Sequence, residues 1–71
     1  MLAYLKNLRC EDRTLRFSIA VIDSGWEVRE ERDNTLVKRQ HLSDWHRVER
    51  ARHSFSVELE TLRQRGWRED N

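Results

Sequence analysis

Alternation of apolar and polar residues predicts a β-strand in the stretch TLRFSIAVID, residues 14–23. Apolar side chains occupy every second position at its start, and polar side chains fill the positions between them. A period of two is typical of a strand with one buried face. The side chains expected on that buried face are Leu15, Phe17, Ile19 and Val21.

Two turns and two more strands are predicted before residue 43. The first turn, DSG, includes Gly25, which accepts the positive φ of a tight hairpin. WEVREER then alternates again, and DN supplies the second turn because Asp and Asn tolerate left-handed geometry. The last strand is TLVKRQHL, but its buried face stays open because the adjacent Leu36 and Val37 point opposite ways. Residues 14–42 therefore predict a three-stranded antiparallel meander.

Residues 43–66 have the period of an amphipathic helix. At 100° per residue, the apolar side chains fall in one arc of about 120°. Ser43 or Asp44 is suited to the N-cap, and Gly66 to a left-handed position after the helix. In the resulting Schellman motif, Trp67 would pack on Leu62. The arc that should face the core contains Trp45, Val48, Ala51, Phe55, Leu59 and Leu62.

The predicted helix is longer than the predicted strands. A helix from residue 44 to residue 65 spans about 33 Å, whereas strands of six to eight residues span about 20–27 Å. The end that carries Leu59, Leu62 and Trp67 should therefore extend past the sheet and need a cover. These three residues are the candidate interaction residues. Either a second copy of the chain or the segment 1–13 would cover them.

The segment 1–13 is expected to lead into the sheet without belonging to it. Its apolar residues recur at helix-like spacing, enough for a turn or two of helix: Leu2, Tyr4, Leu5 and Leu8. The expected fold is α+β in a single small domain, residues 1–71. It comprises a lead segment 1–13, a β-meander 14–42, one long C-terminal α-helix 43–66 and a tail 67–71.

The small size of the chain favours self-association. A chain of 71 residues buries only about 60% of its unfolded surface and is usually stabilised by a further device. Cys10 is the one cysteine, so an internal disulfide is excluded, and no Cys/His spacing indicates zinc. Oligomerisation is the remaining device, and we expect the protein to bind itself or another protein.

Charge is dense but balanced, with 14 basic and 13 acidic residues. This balance argues against a general polyanion binder, which carries a clear positive excess. An alternative function is still open, because a three-stranded sheet with one helix is a shape that DNA-binding modules use. In that case the exposed sheet face and helix face would contact nucleic acid through Arg16, Arg29, Arg47 and Arg50.

Catalytic, metal and cofactor sites are not predicted. His46 and His53 are seven residues apart, about 10 Å along a helix, which is too far to share a metal ion. Ser54 and Ser56 lie on the helix, where no backbone amides are free to form an oxyanion hole. With two glycines, the chain has no glycine-rich phosphate loop. We therefore expect a protein that is not an enzyme.

Location is predicted from hydropathy and the lone thiol. The longest apolar run, residues 19–22, is far shorter than the roughly 20 residues of a membrane-spanning helix. Lys6 and Arg9 interrupt the start, so a signal peptide is not expected. A single free cysteine fits a reducing compartment, and a cytoplasmic protein is expected.

One resemblance concerns the end of the predicted helix. Two strands followed by a helix that closes on Gly66-Trp67 loosely resemble WGR domains, over about the last 55 residues. The Trp-Gly-Arg tripeptide of that family does not occur in this chain. The resemblance therefore implies no functional residue here.

Overall fold

The computed structural model describes residues 1–70, which form an antiparallel sheet with one long helix on one face. The elements are β1 Leu2–Cys10, β2 Arg13–Ile22, β3 Gly25–Arg32, β4 Thr35–Leu42, α1 Trp45–Gln64 and β5 Arg68–Glu69. Their order across the sheet is β4-β3-β2-β1-β5. The predicted α+β class is confirmed, but the meander has four long strands where three were expected. Part of the predicted tail forms the short β5, and residue 71 lies outside the described residues.

The lead segment is strand β1, and the prediction of a helical turn there is wrong. β1 pairs along its length with β2, so that Leu8 lies opposite Leu15. The side chains of Tyr4, Lys6 and Leu8 share the face that the helix covers, as the register with β2 requires. Lys6 interrupts the apolar alternation and pairs instead with Glu69 at 3.6 Å. Because a lysine occupies this inward position, the apolar residues of β1 do not alternate regularly. Their remaining spacing resembles that of a helix.

The turn between β1 and β2 was also missed. It is formed by Glu11 and Asp12 without a glycine, and Glu11 adopts a φ of 58°. The two predicted turns are confirmed. Asp33 and Asn34 both have positive φ, at 51° and 65°, and the Asp33 carboxylate accepts the Thr14 backbone N–H at 2.9 Å.

Gly25 is required at the turn between β2 and β3 for two reasons. Its φ of 136° is unfavourable for a residue with a side chain. In addition, a Cβ at this position would lie 2.3 Å from the backbone oxygen of Leu42. The glycine thus allows the end of β4 to approach the hairpin closely.

The facing of β4, which the sequence left open, is settled by a bulge. The register with β3 shifts between Glu30 and Glu31, so Lys38 faces Glu30 whereas Leu36 faces Glu31. Val37 is the extra residue, and both Leu36 and Val37 are exposed. Leu42 is the residue of β4 that is buried.

The helix follows its predicted limits and its predicted buried face. Val48, Phe55 and Leu59 are buried, and Ala51 and Leu62 are partly buried against the same core. Trp45 is largely exposed, although its ring packs near that of Trp26 with centroids 5.5 Å apart.

Both helix ends are capped as expected. The Asp44 carboxylate accepts the His46 backbone N–H at 2.9 Å. At the other end, Gly66 has a φ of 98° and donates to the Arg63 carbonyl, while Trp67 donates to the Leu62 carbonyl, both at 3.1 Å. These two bonds are those of a Schellman motif.

The core lies under the helix and is centred on β1 and β2. Phe55 stacks on Phe17 of β2 at 4.5 Å and on Tyr4 of β1 at 5.7 Å between ring centroids. The middle of the helix therefore lies over β1 and β2, while Leu42 at the end of β4 is buried in the same core. The fully packed apolar side chains are Leu8, Leu15, Phe17, Ile19, Val28, Leu42, Val48, Phe55 and Leu59.

Candidate interaction surfaces

The three candidate interaction residues at the helix end pack into the chain's own fold. Leu59 is 5% exposed and belongs to the core, and Leu62 and Trp67 pack against that core while partly exposed. The Arg13 guanidinium lies 5.9 Å from the centre of the Trp67 ring. β1 and β2 are 9 and 10 residues long, so they reach further under the helix than the expected strands. Leu59 therefore offers almost no surface to a partner, and Leu62 and Trp67 offer part of theirs.

The four candidate arginines lie on two different sides of the molecule. Arg16 and Arg29 are on the sheet face opposite the helix, here called the open face. Arg16 pairs with Glu31 at 3.8 Å and donates to the Asn7 side-chain oxygen at 2.8 Å. Arg29 pairs with Glu27 at 3.5 Å. Acidic and amide partners within the sheet thus compensate the arginines of the open face.

Arg47 and Arg50 lie on the flank of α1 that faces β4. Both side chains are exposed, and neither forms an ion pair within residues 1–70. They are three residues apart and are therefore neighbours on the helix surface. Neither guanidinium group has a carboxylate partner in the described chain, in contrast to those of Arg16 and Arg29.

β4 is an edge strand with an accessible outer side. It pairs with β3 on one side, and no strand of the described chain pairs with it on the other. Seven of its eight residues are exposed. The backbone N–H and C=O groups on the outer side of such a strand are free to bond to another extended chain.

A groove, here called the β4–α1 groove, separates β4 from the helix. It consists of two adjoining hollows of about 120 Å³ and 290 Å³, the first large enough for an aliphatic side chain. Its floor is apolar, formed by Val28, Leu42, Ala51 and Phe55. Its polar walls are formed by Glu30, Lys38, Gln40, Arg47, Arg50 and Ser54.

The walls of the β4–α1 groove carry an excess of positive charge. Lys38, like Arg47 and Arg50, lacks an ion-pair partner in the described part of the chain. The one carboxylate in the walls, that of Glu30, pairs with Arg32 at 3.1 Å. The sequence did not reveal this groove, because its walls come from a strand and a helix whose relative position depends on tertiary packing.

A serine–histidine contact that sequence reasoning missed lies at the β2–β3 turn. The His41 Nε2 atom is 3.1 Å from the Ser24 hydroxyl oxygen and 3.1 Å from the Ser24 carbonyl oxygen. A carbonyl oxygen only accepts, so Nε2 carries the proton in the bond to it. That nitrogen is then unable to act as a base towards the hydroxyl. The contact joins the turn to β4 and does not activate a nucleophile.

Residues 1–70 contain neither a cluster of metal ligands nor a membrane-spanning helix. No group of three or more His, Cys, Asp or Glu side chains there is placed to hold a metal ion. No helix in the same range is long and apolar enough to cross a membrane. Cys10 is a free, partly buried thiol.

Comparison with known proteins gives no family for this chain. No protein-family model matches it, and no curated protein or solved structure matches it. The loose resemblance to WGR domains gains no support from these comparisons.

Proposed function

We propose that the protein is a small non-catalytic interaction module that binds another protein by accepting an extended strand at the free edge of β4. The observation that carries this proposal is the exposed outer side of β4 beside the β4–α1 groove. Strand addition supplies affinity through main-chain hydrogen bonds and specificity through side-chain pockets. A cytoplasmic location stays a prediction, based on the lone Cys10.

Self-association, which the sequence analysis favoured, has less support at this edge. A second copy of β4 that paired antiparallel about the centre of the strand would bring two basic Lys38-Arg39 pairs together, and opposed like charges are destabilising. A different protein is therefore the better candidate for the partner.

The open face is also a weaker candidate for self-association. Covering it would remove the ion pairs Arg16–Glu31 and Arg29–Glu27 from water. Desolvation of such pairs costs free energy that their mutual attraction does not reliably recover.

Selection of random peptides on the immobilised protein, followed by backbone NMR shift mapping, tests the proposal. We expect selected peptides to shift amides of β4 and of residues 47–54. A Leu2→Ser variant alters the exposed start of β1, far from β4 in the sheet order, and should bind the same peptides equally well. Shifts confined to the open face or to residues 59–67, or a failure to select any peptide, would contradict the proposal.

Nucleic-acid binding is the second candidate function, and the uncompensated charge of Arg47 and Arg50 favours it. The four arginines do not form one surface, because Arg16 and Arg29 are paired on the opposite side of the sheet. We expect only the weak, salt-sensitive binding typical of non-specific contacts, with a Kd of about 1–100 µM at physiological salt. A nanomolar complex lost in Arg50→Glu and kept in Arg29→Glu would make this the preferred function.

A further inference from the structure

The chemistry of the strand that β4 accepts follows from the side chains it would meet. Lys38 lies opposite Glu30, and Gln40 lies opposite Val28, which is buried under the helix. Lys38 and Gln40 therefore project on the helix side of β4. A strand added at this edge would place every second side chain on that same side, at the mouth of the β4–α1 groove.

The helix supplies the opposite wall of this binding site. Arg47 and Arg50 line the groove together with Gln40 and Leu42. Alternate side chains of an added strand on one face are about 6.6 Å apart, a spacing that two adjacent flexible arginines on a helix are able to meet. Guanidinium groups also bind carboxylates in a planar, bidentate geometry.

Resting on the proposed function, we propose that the β4–α1 groove binds an extended acidic segment of a partner protein, whose carboxylates lie on alternate residues and pair with Lys38, Arg47 and Arg50. None of these three groups forms an ion pair within residues 1–70, and the Glu30 carboxylate opposite Lys38 is paired with Arg32. A basic or second β4 strand would meet repulsion at the same place. The groove thus selects both an extended conformation and negative charge.

On the face away from the groove, β4 is expected to select less strongly for the charge of the added strand. There it would meet Arg39, which lies 4.0 Å from Glu27, and His41, which is bonded to Ser24. These side chains already have partners within the sheet. Selectivity for acidic residues is therefore expected on the groove side alone, which is why the carboxylates should alternate along the segment.

Titration calorimetry with synthetic peptides tests this inference. The probe is a blocked peptide of alternating Glu and Thr residues, and its matched control replaces every Glu by Lys. A second control keeps Glu and Thr but is N-methylated along its backbone, which removes the hydrogen-bond donors while keeping the charges. We expect the Glu/Thr peptide to bind at least about tenfold more tightly than either control, with affinity falling as salt is raised.

Charge reversal locates the binding surface. The double variant Arg47→Glu/Arg50→Glu should weaken binding of the Glu/Thr peptide by about tenfold or more. Arg65→Glu/Arg68→Glu is the matched control, since it makes the same change in net charge at exposed positions away from the groove, one at the helix C-cap and one in β5. This control variant should bind the Glu/Thr peptide as tightly as the unaltered protein does. Circular dichroism melts and the milder Arg47→Gln/Arg50→Gln variant exclude unfolding as the cause of any loss.

The outcomes separate this inference from the function on which it rests. Equal binding of the Glu/Thr and Lys/Thr peptides, both abolished by N-methylation, would overturn the acidic preference but leave strand addition standing. Binding that is insensitive to N-methylation would overturn both. Absence of binding by either peptide up to about millimolar concentration also overturns the inference. Displacement of the acidic peptide by a tighter-binding single-stranded oligonucleotide would assign the groove to nucleic acid instead.

Discussion

The rings of Phe17 and Phe55 stack with centroids 4.5 Å apart and an interplanar angle of 23°, joining the middle of β2 to the middle of α1. Tyr4 extends the stack from β1. These contacts hold the middle of the helix over β1 and β2, and β4, at the edge of the sheet, has one buried residue, Leu42, and an open outer side. The stack thus stabilises the domain without covering the edge that we propose binds a partner strand.

Phe55→Ala should lower the free energy of unfolding by about 3–5 kcal/mol. The substitution removes a ring that stacks on both β1 and β2 and leaves a cavity in the core. Urea denaturation measures the change. Val57→Ala, at a position 56% exposed on the same helix, is the control and should change stability by less than about 0.5 kcal/mol. Similar effects of the two substitutions would show that the helix packs with a different face.

Leu8→Ala tests whether residues 2–10 are an integral strand. Leu8 is 1% exposed, so its truncation should cost about 2–5 kcal/mol in unfolding free energy. Leu2, at 53% exposed, should tolerate the same change with little effect. If this segment were a loosely attached lead, the two variants would have equally small effects in thermal or chemical denaturation.

The two glycines should respond differently to replacement by alanine. Gly66→Ala is expected to cost about 1 kcal/mol, because its positive φ disfavours a side chain but no atom lies within 4 Å of the added Cβ. Gly25→Ala should cost more, about 3 kcal/mol, since a positive φ is combined with a clash against the Leu42 carbonyl. Denaturant titration of both variants should preserve this order. The reverse order would mean that the end of β4 does not approach the turn.

Tyr4 should titrate above the usual value of about 10 for a tyrosine. Burial raises the pKa of its hydroxyl, the Glu69 carboxylate raises it further, and the Arg52 guanidinium opposes the rise. Tyr4 is the one tyrosine of the chain, so phenolate absorbance near 295 nm reports it directly.

The sign of the linked stability change follows. Above about pH 10 the unfolded chain loses this proton before the folded protein does, so stability is full below that pH and falls as pH rises through the folded pKa. Denaturation at several alkaline pH values checks this. Tyr4→Phe should remove part of the alkaline loss, and a titration midpoint at or below that of the urea-unfolded chain would contradict the prediction.

Local pattern in the sequence was sufficient to identify most of the secondary structure. The period of two around Phe17, the turns at Gly25 and Asp33-Asn34, and the helix between Asp44 and Gly66 all depend on interactions between residues close in the chain. Helix caps and tight turns provide hydrogen-bond partners for nearby backbone groups. An amphipathic stripe indicates which side of a helix or strand is buried. For this reason α1, β2, β3 and β4 were predictable, as was the α+β class.

Tertiary structure decided the role of residues 2–10 and the location of the candidate site. The register with β2 places Lys6 on the inner face, where it pairs with Glu69, a residue distant in sequence that no local pattern could identify as its partner. Likewise, the β4–α1 groove brings Gln40 of the strand next to Arg47 and Arg50 of the helix, and this arrangement depends on how α1 packs on the sheet. The spacing of apolar residues along a strand or helix shows which of its faces is buried. Long-range packing decides which other strand or helix covers that face.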